Sequence, residues 1–179
     1  MAHQQQFDFI TLVKTKFPTY FFQKKVLEVG SLNINGSIRD FFSFCDYLGI
    51  DVGSGPGVDL VCEGQNLDNP NDSYDMSISC ECFEHNPYWV ETFVNMHRMT
   101  KPNGLIVMSC ATTGRPEHGT TRTSPADSPL TIGKGWDYYK NLTEQDFRDN
   151  LNIDDMFSSH TFIVGAPHPD LYFYGIKKW

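Results

Sequence analysis

Residues 26–37 read VLEVGSLNINGS, an apolar run that ends at a glycine and continues as a polar loop. The run has the length and composition of a buried β-strand, and Gly30 marks the turn that follows it. A nucleotide-binding loop normally has two more glycines close behind the first, whereas the next glycine here is Gly36. The stretch therefore predicts a strand that leads into a ligand-binding turn, with a loop unlike one that holds a pyrophosphate.

Four further strand-like runs follow along the chain: YLGIDVG (47–53), VDLVCE (58–63), YDMSISCE (74–81) and LIVMSCA (105–111). Apolar residues at helical spacing predict helices over residues 5–17, over residues 37–45 and, with Asn86 as its cap, over residues 87–99. Apolar strands that alternate with helices are typical of a parallel sheet covered on both faces. The pattern predicts a Rossmann-like, doubly wound α/β fold.

The C-terminal part of the chain has a different pattern. Thr143 and Asp146 have capping-box spacing and predict a helix that ends near residue 151. The β-rich runs SHTFIVG (159–165) and LYFYGIK (171–177) are separated by five residues, which are too few for a parallel crossover. The expected sheet is therefore mostly parallel, with an antiparallel C-terminal β-hairpin.

The whole chain, residues 1–179, is predicted to form one domain. Residues 112–141 lack periodicity and are rich in Thr, Gly, Pro and Ser. A loop of this length inside a compact domain is typical of a lid or a binding loop, so this segment is the predicted lid and acceptor loop.

Composition excludes several classes of partner. The net charge of −8 repels a phosphate backbone, so no nucleic acid is expected to bind. No apolar run is long enough to span a bilayer, and the first residues lack the features of a secretory signal, so a cytoplasmic protein without a membrane partner is expected. Cys80 and Cys82 are two residues apart within an apolar run, which is typical of packing residues, and no metal site is predicted. The sequence carries no signal of the oligomeric state.

Acidic residues follow three successive predicted strands. Glu28 precedes Gly30, Asp51 lies 23 residues after Glu28, and Glu63 is followed by Gly64. Open α/β sheets bind ligands at the carboxyl ends of their strands, where a carboxylate accepts hydrogen bonds from both hydroxyls of a ribose. Each signal alone is typical of a solvated turn. Together, in this order and spacing, they predict an adenosine site.

These motifs resemble the class I S-adenosylmethionine-dependent methyltransferases of the small single-domain type. The resemblance runs from VLEVGS through YLGIDV, YDMSISCECFEH and MTKPNGLIVMS to the terminal hairpin. It implies methyl transfer with S-adenosyl-L-methionine as cofactor. The departure is the first loop, where Ser31, Asn33 and Gly36 replace some of the family's glycines near the cofactor.

The resemblance also implies a set of cofactor residues. Asp51 matches the ribose-binding acid, Glu63 the acid beside the adenine, and the segment from Cys80 to His85 the methionine end. The full set of predicted cofactor-binding residues is Glu28, Gly30, Ser31, Asn33, Gly36, Asp51, Val52, Glu63, Gly64, Gln65, Cys80, Glu81 and His85.

The acceptor side is predicted from the lid and the segment after the fourth strand. A hydroxyl acceptor must lose a proton as it reacts, and the candidate bases are His118, which is the first choice, His85, Glu117 and Tyr138 or Tyr139. Arg115, Glu117, Tyr138 and Tyr139 are further candidates for acceptor contact. The alternatives for these residues are a solvated loop histidine, an exposed arginine and tyrosines that pack beneath the following helix.

The leading hypothesis is methyl transfer to a small-molecule or a sugar- or lipid-linked acceptor, at oxygen. The alternative is a catalytically idle module of the same fold that binds the cofactor or a protein partner. An NAD-dependent enzyme is disfavoured by the missing glycines and by the terminal hairpin.

Overall fold

One sheet carries the fold in the computed structural model, which describes residues 3–179. Its seven strands have the order β3-β2-β1-β4-β5-β7-β6. The strands are β1 Lys25–Val29, β2 Asp46–Asp51, β3 Leu60–Val61, β4 Tyr74–Cys80, β5 Thr100–Ala111, β6 Phe157–Val164 and β7 Asp170–Lys177. The first five strands pair in parallel, and β7 pairs antiparallel with both β5 and β6. The predicted mostly parallel sheet with an antiparallel terminal hairpin is confirmed.

Five α-helices flank this sheet within the described residues. They are α1 Gln4–Lys16, α2 Trp89–Met99, α3 Pro129–Gly133, α4 Glu144–Asn150 and α5 Ile153–Met156. Thr143 caps α4 through the predicted capping box with Asp146. None of the helices in residues 3–179 has the length and apolar character needed to cross a membrane.

Two helix predictions need correction. The helix predicted from residue 87 begins at Trp89, because the Asn86 side chain accepts a hydrogen bond from the Tyr88 amide and donates one to Thr92 instead of capping the helix. The helix predicted over residues 37–45 is only a 3₁₀ turn, Ile38–Phe41. Phe42 is already extended, and its ring stacks on Phe21 at 4.7 Å between ring centroids.

The core lies on both faces of the sheet. One cluster contains Phe93 of α2, Phe147 of α4 and Phe173 of β7, and the other contains Ile10 of α1 beside Val107 of β5. Burial of apolar side chains on both faces explains why the central strands are almost continuously apolar. Because β1, β2 and β4 are parallel neighbours, their carboxyl ends meet at one edge of the sheet.

Candidate active site

A cleft lies at this edge and encloses about 670 Å³ of space, part of it open to solvent. Eight of the predicted cofactor residues line the cleft: Glu28, Gly30, Ser31, Gly36, Asp51, Cys80, Glu81 and His85. The structure therefore brings together residues from three strand ends that are up to 57 positions apart in the sequence.

The loop after β1 is held close to the end of β4. Gly30 has φ of +83°, and a Cβ atom added there would lie 2.6 Å from Cβ of Cys82. Ser31 is buried, and its hydroxyl has no hydrogen-bond partner among residues 3–179. The Asn33 side chain accepts a hydrogen bond from the Gly36 amide and shapes the loop without lining the cleft. The loop thus offers the cleft a tight backbone approach and one unused hydroxyl.

The Asp51 carboxylate is fixed by backbone amides. One oxygen accepts from the Leu32 amide at 3.0 Å and the other from the Val52 amide at 2.8 Å. Each carboxylate oxygen can accept a second hydrogen bond, so the group is oriented and still has free acceptor capacity. Burial raises the pKa of Asp51, and the two amides oppose this shift. Hydrogen-bond donors on a ligand would stabilise the ionised form further.

Glu28 is a second acidic group on the cleft wall. Burial raises its pKa to about 7, although the Tyr47 hydroxyl donates a hydrogen bond to it at 2.9 Å. Desolvation of this carboxyl is therefore large, and a cationic group in the cleft would favour its ionised form.

A polar cluster ties the lid to the sheet beside the cleft. Glu81, which has φ of +52°, accepts a hydrogen bond from the Ser109 hydroxyl at 2.8 Å. Asp170 is fully buried and lies 2.5 Å from the Arg115 guanidinium and 3.1 Å from the His3 ring. Burial alone lowers the pKa of His3, but its hydrogen bond to Asp170 and the nearby Glu81 raise it to about 9. Arg115 is thus paired inside the protein rather than directed at the cleft.

Part of the predicted lid lines the cleft, although its lining residues were not among the predicted site residues. Residues 127–131, which include the start of α3, line the cleft. Leu130 packs on Gly53, where an added Cβ atom would lie 2.8 Å from Cδ2 of the leucine. Lys134 forms an ion pair with Glu63 at 2.7 Å. The lid is therefore joined to the ends of both β2 and β3.

Aromatic and titratable side chains lie together around His85, at the end of the cleft where the acceptor is predicted to bind (the acceptor end). His85 lies on the cleft wall, and the His118 and Tyr139 rings pack against it at 5.0 and 5.6 Å between ring centroids. His118 is buried behind His85, in contrast to the solvated position expected for a loop histidine. Burial lowers the pKa of both histidines, and the neighbouring His118 contributes to a value of about 3 at His85.

Besides Asn33, nine predicted site residues do not line the cleft. They are Val52, Glu63, Gly64, Gln65, Arg115, Glu117, His118, Tyr138 and Tyr139. The three residues at 63–65 form a 3₁₀ turn and its cap, in which Gln65 donates a hydrogen bond to Glu63. Glu117 accepts hydrogen bonds from Thr120 and Arg122, and the half-buried Tyr138 follows the loop toward α4.

Several lining residues escaped prediction: Gln6, Leu32, Ile34, Asn35, Ser37, Ile38, Cys82 and residues 127–131. The missed loop residues up to Ser37 lie inside the quoted stretch, and Ile38 directly follows it; the alternation of polar and apolar residues there was the available signal. Gln6 on α1 and the lid residues reach the cleft through tertiary packing, for which the sequence offers no local pattern.

Comparisons with known proteins agree with this architecture. Residues 50–108 match the family model described as a methyltransferase domain. Among curated proteins, none matches the chain.

Three solved structures with the same fold come from different organisms and carry different descriptions. One is a 1,6-didemethyltoxoflavin-N1-methyltransferase from Burkholderia thailandensis, with 12% identity, a TM-score of 0.61, and coverage of 100% of this chain and 92% of that one. Another is phosphoethanolamine N-methyltransferase 2 from Haemonchus contortus, with 12% identity and a TM-score of 0.67, where 96% of this chain spans 52% of the other. A third is a chain from the complex of the Haloferax volcanii Trm112 methyltransferase activator with a methyltransferase, with 12% identity, a TM-score of 0.62, and coverage of 98% and 91%.

The family match covers residues 50–108, and the solved structures share the fold of the whole chain, including the seven-stranded sheet with antiparallel strands at its C-terminal end. The resemblance to class I S-adenosylmethionine-dependent methyltransferases of the small single-domain type is confirmed for the fold. The two findings support the predicted enzyme class and its cofactor, S-adenosylmethionine.

Proposed function

We propose that this chain transfers the methyl group of S-adenosylmethionine to an oxygen atom of a small-molecule or a sugar- or lipid-linked acceptor. One observation carries the proposal: Gly30 and Ser31 after β1 and Asp51 at the end of β2 line one cleft at the carboxyl ends of the strands, where open α/β sheets bind nucleotide-like ligands.

The charges and unused polar atoms of the cleft support this cofactor. Glu28, Asp51, Glu81 and Asp127 line it, and such an acidic wall complements a cationic sulfonium. Asp51 has free acceptor capacity for the ribose hydroxyls, and the Ser31 hydroxyl is available to the methionine portion. No pyrophosphate has to be held, so polar side chains in this loop can replace glycines.

The adenine end is proposed to lie beside Glu63, Gly64 and Gln65, with Val52 next to the ribose. Here Lys134 already occupies the Glu63 carboxylate at 2.7 Å. Adenine that approaches this carboxylate therefore competes with an ion pair between the lid and the sheet.

S-adenosylmethionine supplies a methyl group on a cationic sulfur and leaves as a neutral thioether when the carbon–sulfur bond breaks. The acceptor oxygen forms the new bond to the methyl carbon and loses its proton. The chain has to position the acceptor, exclude water and take up this proton. His85, which is neutral and on the cleft wall, is placed to take it up directly, while His118 lies behind it.

The other candidates on the lid are assigned by their contacts. Arg115 is paired with Asp170, so we assign it to holding the base of the lid. Tyr139 packs against both histidines and donates to the Pro116 carbonyl, so it supports the acceptor end. Glu117 and Tyr138 remain proposed acceptor contacts at the outer side of the lid.

The acceptor class is proposed from size and chemistry. The similar proteins from Burkholderia and Haemonchus are named for nitrogen methylation of small molecules. Oxygen in the present chain is proposed because an imidazole, His85, lies on the cleft wall, where it can receive a hydroxyl proton. Burial lowers the pKa of His85 and so weakens it as a base in the protein without its ligands. The five free thiols support a reducing compartment such as the cytoplasm.

The test is label transfer from methyl-labelled S-adenosylmethionine to a panel of matched hydroxyl and amino compounds. Labelled ethers formed from hydroxyl compounds are expected. Transfer only to amino compounds would overturn the assignment to oxygen. Tight cofactor binding without transfer to any compound would favour the idle, cofactor-binding module.

A further inference from the structure

Three buried side chains at the acceptor end bring together five polar atoms that have no hydrogen-bond partner within residues 3–179. They are both carboxylate oxygens of Glu84, both ring nitrogens of His85 and Nε2 of His118. Glu84 is 0%, His85 2% and His118 9% exposed. Backbone groups approach these side chains without completing hydrogen bonds of good geometry: that of Tyr138 faces the His85 ring, and those of Glu84 and Ala111 face the Glu84 carboxyl. Native proteins leave few buried polar atoms unpaired, and an ion site is one physical reason for such a cluster.

The geometry of these atoms fits a common ion. One ligand atom from each of the three residues lies within 4.8 Å of the other two. Ligands at 2.0–2.2 Å from a tetrahedral zinc ion are about 3.4 Å apart, so a contraction of at most about 1.4 Å closes the site. Small rotations of the side chains can supply this movement.

The His118 ring is already oriented as a ligand. Its Nδ1 atom lies 3.1 Å from the Pro116 carbonyl oxygen, so Nδ1–H donates there and Nε2 presents its lone pair to the cluster. Metal-binding histidines almost always donate their other ring N–H to a carboxylate, a carbonyl or water in this way. The Tyr139 hydroxyl also donates to Pro116, which fixes this part of the lid.

We propose that Glu84, His85 and His118 bind a divalent transition-metal ion, with Zn²⁺ as its representative. Two imidazoles and one carboxylate favour zinc and its first-row neighbours over Mg²⁺ or Ca²⁺, which prefer oxygen ligands. Three protein ligands leave one coordination position open, as in catalytic zinc sites.

A second cluster of possible ligands is less suitable. His3, Glu81 and Asp170 also lie close enough to share an ion. However, Arg115 lies 2.5 Å from Asp170 and 4.0 Å from Glu81. This guanidinium already balances the carboxylates and would repel a cation, so the ion is assigned to the first cluster.

The position of the ion suggests its use. His85 also lines the cleft, so the ion lies at the acceptor-side wall. A bound ion would lower the pKa of a coordinated acceptor hydroxyl, which could then release its proton to water before methyl transfer. His85 and His118 would act as ligands in the metal-loaded chain, and the role of His85 as base proposed above would apply to the metal-free chain. This use rests on the proposed methyl transfer, whereas the binding of the ion does not.

The test is a calorimetric titration of metal-free protein with Zn²⁺, after treatment with a chelator and removal of any histidine tag. One ion per chain is expected. Glu84→Gln and His118→Gln should each weaken binding by at least about 100-fold, more than the loss of an outer-shell partner causes. His97→Gln is the matched control, because this histidine contacts the Met156 carbonyl and is not part of the cluster of Glu84, His85 and His118. It should leave the affinity within about twofold.

Saturable binding that Glu84→Gln does not weaken would overturn the proposal, as would the absence of saturable binding or a loss caused by His3→Gln. Glu84→Gln preserves the shape of the side chain, and circular dichroism verifies its fold; if this variant fails to fold, His118→Gln decides. S-adenosylmethionine is titrated in parallel. If wild-type protein binds the cofactor but does not bind zinc, only the metal site is contradicted. If it binds zinc but does not bind the cofactor, only the proposed function is contradicted.

Discussion

Gly30→Ala tests how the first loop is packed against the end of β4. The glycine has φ of +83°, a conformation that costs an alanine about 1–2 kcal/mol. The added Cβ atom would also lie 2.6 Å from Cβ and 2.7 Å from Sγ of Cys82, and such overpacking costs about 1–3 kcal/mol. The free energy of unfolding should therefore fall by about 2–5 kcal/mol.

Gly135→Ala separates the two contributions. Gly135 has φ of +88°, but an added Cβ atom would meet no atom of the described chain within 4 Å. This control measures the backbone cost together with the change in unfolded-chain entropy that both substitutions share. The difference between the two variants isolates the contact with Cys82 and should be about 1–3 kcal/mol.

Urea unfolding followed by circular dichroism gives both free energies under identical conditions. Cys82→Gly in the Gly30→Ala background should restore part of the loss, since it removes both close contacts. Equal destabilisation by Gly30→Ala and Gly135→Ala would refute the packing of the loop against Cys82.

Three further predictions concern the cofactor, the lid and pH. Asp51→Ala should weaken S-adenosylmethionine binding by about 2–5 kcal/mol in calorimetry, whereas Asp59→Ala, which also removes a backbone-bonded carboxylate but one outside the cleft, should have little effect. Equal effects would remove Asp51 from the site. Lys134→Ala should tighten cofactor binding up to about fivefold, because an ion pair worth up to about 1 kcal/mol no longer competes; weaker binding would instead make the lysine a cofactor contact. Asp170 and Glu81 favour protonated His3, which therefore contributes stability below pH 6.5 that is lost as pH rises to about 9. Urea unfolding of wild type should lose about 1–2 kcal/mol from this source over that range, after allowance for partial solvation. His3→Gln should remove this part of the loss and keep the part caused by ionisation of Glu28 and Glu84, whose pKa values burial raises to about 7 and about 8; a profile identical to wild type would contradict the role of His3.

The sequence predicts the sheet well because its signals are local. The run Leu105–Ala111 is apolar except for Ser109 and is buried on both faces. The five-residue link before β7 permits only a hairpin. The helix expected over residues 37–45 fails because its apolar spacing serves another purpose. Phe42 stacks on Phe21, and Ser43 forms a parallel bridge with Phe22, so the segment is extended.

The site is predictable where a residue ends a strand and unpredictable where it arrives by packing. Glu28 and Asp51 follow from the strand pattern alone. Leu130 reaches the cleft because it packs on Gly53, and Glu84 and His118 meet although 34 positions separate them. No periodicity or motif connects such residues, so the lid contact and the proposed metal site required the three-dimensional structure.

Calorimetric titration of the purified chain with S-adenosylmethionine, S-adenosylhomocysteine and NAD tests the central claim most directly. The cleft geometry predicts micromolar binding of both sulfur ligands at one per chain, with no binding of NAD, because the loop after β1 lacks the glycines that hold a pyrophosphate. Binding of NAD, or of none of the three ligands, would contradict the assignment of the cleft to S-adenosylmethionine.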